Sequence, residues 1–151
     1  MQHIKYVHMR AGAVLLFMGM VTGIFVSAAM TGKLSADGKM MLAAHLNAIL
    51  GAFMLFGYAL SVAYLKYEEK KIALIGKLLL VANYANWLIT TVKAFVKVHG
   101  IDLTGNIAND MVFGALTLFV VLPALVATLF WCLGFQRHGV PRLADHVPKS
   151  R

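Results

Sequence analysis

Charge is scarce in this chain, and acidic charge most of all. Only 13% of its 151 residues are charged, and just six are Asp or Glu; a soluble domain carries about 25%. That scarcity excludes an ordinary water-soluble fold. There are three prolines and no Ser/Gly-rich or other low-complexity stretch, so nothing reads as a linker to a second domain. The single cysteine, Cys132, excludes an internal disulfide and any multi-cysteine metal site. It lies in an apolar run and reads as a buried structural thiol. A net charge of +8 raises nucleic acid as a partner. The basic residues, however, form no stripe and no base-reading motif accompanies them, so no nucleic-acid partner is expected. They sit at the ends of apolar runs, where topology signals belong.

What the chain has is apolar length. Hydrophobic residues make up 60% of it, gathered into four runs, and about 20 residues suffice to cross the hydrocarbon core as a helix. The spans read as residues 12–30, 39–65, 72–92 and 110–135. Lys5 and Arg10 before the first run resemble the start of a signal peptide. No clear small-residue cleavage site follows before Met30, so this reads as a retained first span. On it, Gly19-x-x-x-Gly23 is a spacing that lets another helix approach closely. Pro123 is expected to kink the fourth span. The fold class is therefore all-α: an integral membrane four-helix bundle in one domain, residues 1–137, with a basic tail at 138–151.

An even number of spans puts both termini on one side. That side carries Lys5, Arg10, Lys66, Lys70, Lys71, Arg137, Arg142, Lys149 and Arg151; the other carries Lys33, Lys39, Lys93 and Lys97. The positive-inside rule places the richer side, and both termini, in the cytoplasm. A bacterial-type inner membrane is the expected location, with the lipid bilayer as solvent.

Within the apolar runs one residue stands out. His45 is the only histidine read as lying at membrane depth; His3, His8, His99, His138 and His146 fall in polar ends or loops. An ionisable group there is costly and marks a functional site when a partner can be named. His45 lies about 9 Å below the outer end of the second span, and Asn86 about 10 Å below that of the third. The two are expected to face each other at one level. Asn83 and Thr90 share the face of Asn86 at helical spacing, and Asn109 and Asp110 open the fourth span on the same side.

Several chemistries fit a lone deep histidine. It can be glue between helices, at about 0.6 kcal/mol for such a hydrogen bond. A general base needs a further proton acceptor, and no carboxylate lies within the spans. Zinc needs three or four ligands. Haem needs one protein ligand and a surround of small and apolar residues. Ala44, Ala48 and Gly51 flank His45 at helical spacing and are expected to leave room for the macrocycle. So wide a ring is easier to enclose between subunits than inside one bundle, which favours an oligomer. Phe53, Phe56, Trp87 and Phe113 are either aromatic walls of a site or ordinary helix packing.

Ala44-His45-Leu46 followed by Gly51, then Tyr84-Ala85-Asn86-Trp87, with Met9-Arg10-Ala11-Gly12 at the start, resembles the small membrane isomerases typified by styrene oxide isomerase and hydroxylaminobenzene mutase. The resemblance covers roughly residues 9–137. It implies a homotrimer of four-helix subunits with haem b near the subunit interface and His45 as the axial ligand to iron. It places Asn86 at a small apolar aromatic substrate. Beside these, Asn83 and Thr90 are expected at the substrate, and Ala48, Gly51, Tyr84 and Trp87 at the cofactor. Ferric iron then acts as Lewis acid, turning an aryl epoxide into an aldehyde or an arylhydroxylamine into an aminophenol. The chain departs from the isomerase pattern at three places. Gly51 stands where that pattern has asparagine, Thr90 where it has tyrosine, and Ala82 where it has aspartate. The mutase shares threonine at Thr90 but keeps the first asparagine. Asn47 is about 40° round the helix from Gly51 and replaces the missing amide only if the helix is turned slightly. The alternatives are a haem-binding sensor or electron carrier, and a cofactor-free structural bundle.

Overall fold

The computed structural model describes residues 1–136. Every regular element among them is helical: α1 Gln2–Met30, α2 Gly38–Ser61, α3 Glu69–Val96, α4 Ile107–Leu116 and α5 Leu122–Gln136. A 3₁₀ turn, Val62–Tyr64, ends α2, and a π-helical turn, Thr117–Val121, joins α4 to α5 as one continuous span. Four stretches are thus long and apolar enough to cross a membrane. The chain is a multi-pass membrane protein.

Local chemistry sets the helix ends at the pole of the bundle away from the N-terminus. The Asp37 carboxylate accepts from Met40 N at 2.9 Å and caps α2. Asn106 accepts from the N–H groups of Ala108 and Asn109 and caps α4. Between them, α3 closes on Lys97 in the left-handed region, φ +56°. The loop that follows is tied down by Asn109 and Asp110. Asn109 accepts from Gly100 N at 2.7 Å and donates to Asp102 O at 2.7 Å. Asp110 accepts from Thr104 N and Gly105 N. These two polar residues brace a loop and do not join the membrane-depth cluster.

The seam between α1 and α2 is built from glycine. A Cβ on Gly19 would stand 2.9 Å from that of Ala48, and one on Gly12 would run into the Phe56 ring. Both glycines are held small because α2 lies against them. The core is Leu15 from α1, Leu55 and Tyr58 from α2, and Ile72 and Leu79 from α3, all at most 1% exposed. Two side chains tie α3 across to α1: Tyr84 OH donates to Ala11 O at 2.8 Å, and Trp87 Nε1 donates to Thr22 Oγ1 at 3.0 Å. On the other side, α4 and α5 pack along α3. Trp131 of α5 reaches α2, donating to Ser61 Oγ and meeting Tyr58 edge-on.

Three features depart from the sequence reading. α1 starts about ten residues before its apolar run, because Ile4 and His8 share the buried stripe of Leu15. His8 is therefore no polar-end residue: it is 3% exposed and lies against Tyr58. At Pro123, where a kink is expected, the fourth span continues. The π turn at Thr117–Val121 lies just ahead of it and takes up the missing N–H register. Cys132 is exposed on α5, not buried. The tail at 138–151 lies outside the described residues.

Candidate functional site

His45 projects from α2 toward α1. Its Nδ1 lies 2.7 Å from Gly19 O. A carbonyl only accepts, so in the neutral ring Nδ1 carries the proton and Nε2 keeps its lone pair. A Cβ on Gly23 would stand 3.1–3.2 Å from Cε1 and Nδ1. The second glycine of the Gly19–Gly23 pair is thus what admits the imidazole. The ring is half-buried, and Nε2 has no hydrogen-bond partner among the described residues.

Two residues further on, Asn47 projects to the opposite flank of α2, about 160° away. There Nδ2 donates to Asn86 Oδ1 at 3.1 Å and to Thr90 Oγ1 at 3.2 Å, and Thr90 Oγ1 lies 3.4 Å from Asn86 Oδ1. This triad uses one amide's NH₂ and the other's carbonyl. It leaves Asn86 Nδ2 as a donor and Asn47 Oδ1 as an acceptor, neither engaged by another described residue nor sealed from its surroundings. Exchanging the two amides' roles leaves the same pair on offer, one donor and one acceptor.

The structure brings Asn86 and Thr90 together, as their spacing implied, and adds Asn47 to them. The neighbouring turn of α3 is used differently. Asn83 Nδ2 donates to Leu79 O at 2.8 Å and lies 3.5 Å from Met54 Sδ, so its NH₂ is occupied inside the bundle. Tyr84 and Trp87 bridge to α1 and line clefts on that seam. Ala48 and Gly51 border no free space. Ala48 is covered by Gly19, and a Cβ on Gly51 would stand 2.8 Å from Asn83 Oδ1 and 3.1 Å from Leu15. Within one protomer their smallness serves the approach of α1 and α3. The expectation that His45 and Asn86 face one another is corrected. Their depth agrees, since Asn86 bonds Asn47 half a turn from His45, but within one protomer α2 stands between them. Sequence reasoning missed Thr22, the acceptor for the Trp87 indole, and the Gly19 carbonyl, because a main-chain partner leaves no mark in residue type.

No group of three or more His, Cys, Asp or Glu side chains gathers among the described residues, so a metal held by side chains alone lacks its ligand set. A porphyrin iron needs only one. A half-buried imidazole with Nδ1 anchored on a carbonyl and Nε2 left bare has the form of a haem-ligating histidine.

No curated protein matches the chain. The family model described as styrene oxide isomerase matches residues 4–136. That stretch holds all four spans, His45 and the Asn47–Asn86–Thr90 triad, and on it the chain belongs to the styrene oxide isomerase family, a family of membrane isomerases.

Proposed function

We propose that this protein is a haem-b-dependent isomerase of small aromatic oxygen compounds, working as a homo-oligomer, a trimer by family resemblance. The observation that carries the reading is the state of His45: Nδ1 fixed on Gly19 O, Nε2 free for iron. Bound there, ferric haem supplies a Lewis acid for the substrate's oxygen, offsetting the charge that develops as a bond to that oxygen breaks.

The chain's own residues do the rest. His45 holds the cofactor, and the Gly19 carbonyl holds His45. Asn86, with Asn47 and Thr90 fixing its carbonyl side, orients the substrate by hydrogen bonding. The apolar faces of α1, α2 and α3 exclude water and admit an aromatic ring from the lipid. Since His45 and Asn86 leave opposite flanks of α2, the amide that meets a substrate beside one protomer's His45 comes from a neighbouring copy. The triad offers one donor and one acceptor. An arylhydroxylamine presents both O–H or N–H groups and an oxygen acceptor; an epoxide presents an acceptor alone. This favours rearrangement of an arylhydroxylamine to an aminophenol over isomerisation of an epoxide, in line with Gly51 and Thr90 standing where the epoxide isomerase pattern has asparagine and tyrosine.

The test is the absorption spectrum of detergent-purified, haem-replete protein and of His45→Ala, followed by turnover of N-phenylhydroxylamine and styrene oxide. A Soret band lost in the variant, with faster turnover of the hydroxylamine, is expected. A Soret band that survives in the variant overturns the ligand. A haem protein that converts neither compound is a sensor or carrier, and a protein without a chromophore is a structural bundle.

A further inference from the structure

The seam between α1 and α3 carries two clefts on one stripe of α1. The first, about 390 Å³, includes His3, Tyr6, Val7, Arg10 and Val14, with Tyr84 from α3. The second, about 290 Å³, includes Phe17, Val21 and Phe25, with Trp87 from α3. Residues 3, 7, 10, 14, 17, 21 and 25 recur at helical spacing, so the clefts follow one another along the helix. Their chemistry changes along that line. The first has cationic and hydroxyl groups at its rim; the second is walled by aliphatic and aromatic side chains.

We propose that this seam binds one anionic phospholipid, its phosphate on Arg10 and an acyl chain along Val14, Phe17 and Val21. Arg10 makes no hydrogen bond or ion pair with any described residue, and neither does the hydroxyl of Tyr6, which is 64% exposed. The Glu69 carboxylate is paired with the N-terminal ammonium and not with Arg10. Arg10 directly precedes the uncharged apolar run from Ala11 to Met30, and its long side chain reaches back toward the headgroups from the end of that run. From Arg10 to Val21 the helix rises about 16 Å, close to the ~15 Å of one leaflet's hydrocarbon. Tyr84 and Trp87 are three residues apart on α3 yet reach Ala11 and Thr22, eleven residues apart on α1. They splay along the seam, one toward the headgroup cleft and one toward the acyl cleft. The site is independent of the haem reading, since it lies on the α3 side of α1 and not on the flank that holds His45.

Native mass spectrometry of the full chain tests it, from micelles doped with dioleoylphosphatidylglycerol or dioleoylphosphatidylcholine. Bound phosphatidylglycerol should survive detergent removal in preference to phosphatidylcholine. Arg10→Gln should weaken it about five-fold, the equivalent of about 1 kcal/mol for one basic contact at a lipid surface, while Lys5→Gln leaves it unchanged. Val21→Trp, which fills the acyl cleft and keeps Arg10, should weaken both lipids. Equal retention of the two lipids, or an Arg10→Gln protein that binds as wild type does, overturns the site. So does a seam covered by a second copy, seen as no lipid on any oligomer and no effect of either variant.

Discussion

His45 and Asn47 show how much function turns on a few degrees of helix. Both lie in one apolar run and both are polar, yet one is anchored on Gly19 O and the other on Asn86 and Thr90. The anchor of His45 is main chain, so it is perturbed through Gly23. A methyl there would stand 3.1 Å from Cε1, and the ring must tilt off its carbonyl to clear it. Gly23→Ala is expected to lower haem affinity about 10–100-fold, the usual cost of disturbing a ligand's outer partner, and to shift the Soret maximum of whatever haem remains. A titration of apoprotein with haemin reads both. Asn47→Ala should act on the substrate and not on the cofactor. Losing its hydrogen bonds to Asn86 and Thr90, of which the one to Asn86 contributes about 1 kcal/mol, should lower kcat/KM for an arylhydroxylamine at least roughly five-fold while the spectrum stays as in wild type.

At the scale of the helix, apolar run length was a good guide to the number and order of spans and a poor one to their rotation. The second span was legible because 39–65 is almost uninterrupted. The start of α1 was not, because Gln2, His3 and Lys5 hide the buried stripe of Ile4 and His8. Depth below a charged end could be counted, so His45 and Asn86 were set at one level correctly. Azimuth needs the packing partners, and only the glycines betray those. Gly12, Gly19 and Gly23 mark the α2 side of α1, and a reading that started from them would have turned His45 toward α1. Gly51 carries the same lesson. The isomerase pattern has asparagine there, but in this chain even a methyl would press on Asn83 and Leu15. One turn earlier, Asn47 presents an amide to Asn86 and Thr90. Gly51→Ala is expected to cost about 1–3 kcal/mol by overpacking, seen as a lower unfolding midpoint in detergent. Gly57→Ala, where the nearest atom beyond the helix itself is Trp131 at 3.6 Å, should leave that midpoint nearly unchanged.

At the scale of the whole molecule, the proposed function asks for more than one protomer. Of its most apolar windows, 39% of the second span is buried but only 11% of the fourth. Lipid can cover apolar surface, yet it gives nothing to a bare imidazole nitrogen or to an open amide at membrane depth. His45 and Asn86 lie on opposite flanks of α2, so in a closed ring of copies each His45 is met by the next copy's Asn86, and the same contact repeats around the ring. The detergent-stripped particle should then weigh a small multiple of 16.5 kDa. Mass alone does not say which copy supplies which residue, but mixing does. His45→Ala and Asn86→Ala subunits should each be inactive as pure oligomers. Co-expressed in equal amounts, they assemble at random, and a site is whole wherever an intact His45 from one mutant meets an intact Asn86 from the other. Each of those has a probability of one half, so about one quarter of wild-type turnover should return. If His45 and Asn86 of the same copy served one substrate, every site in every mixture would lack a residue, and no activity would return.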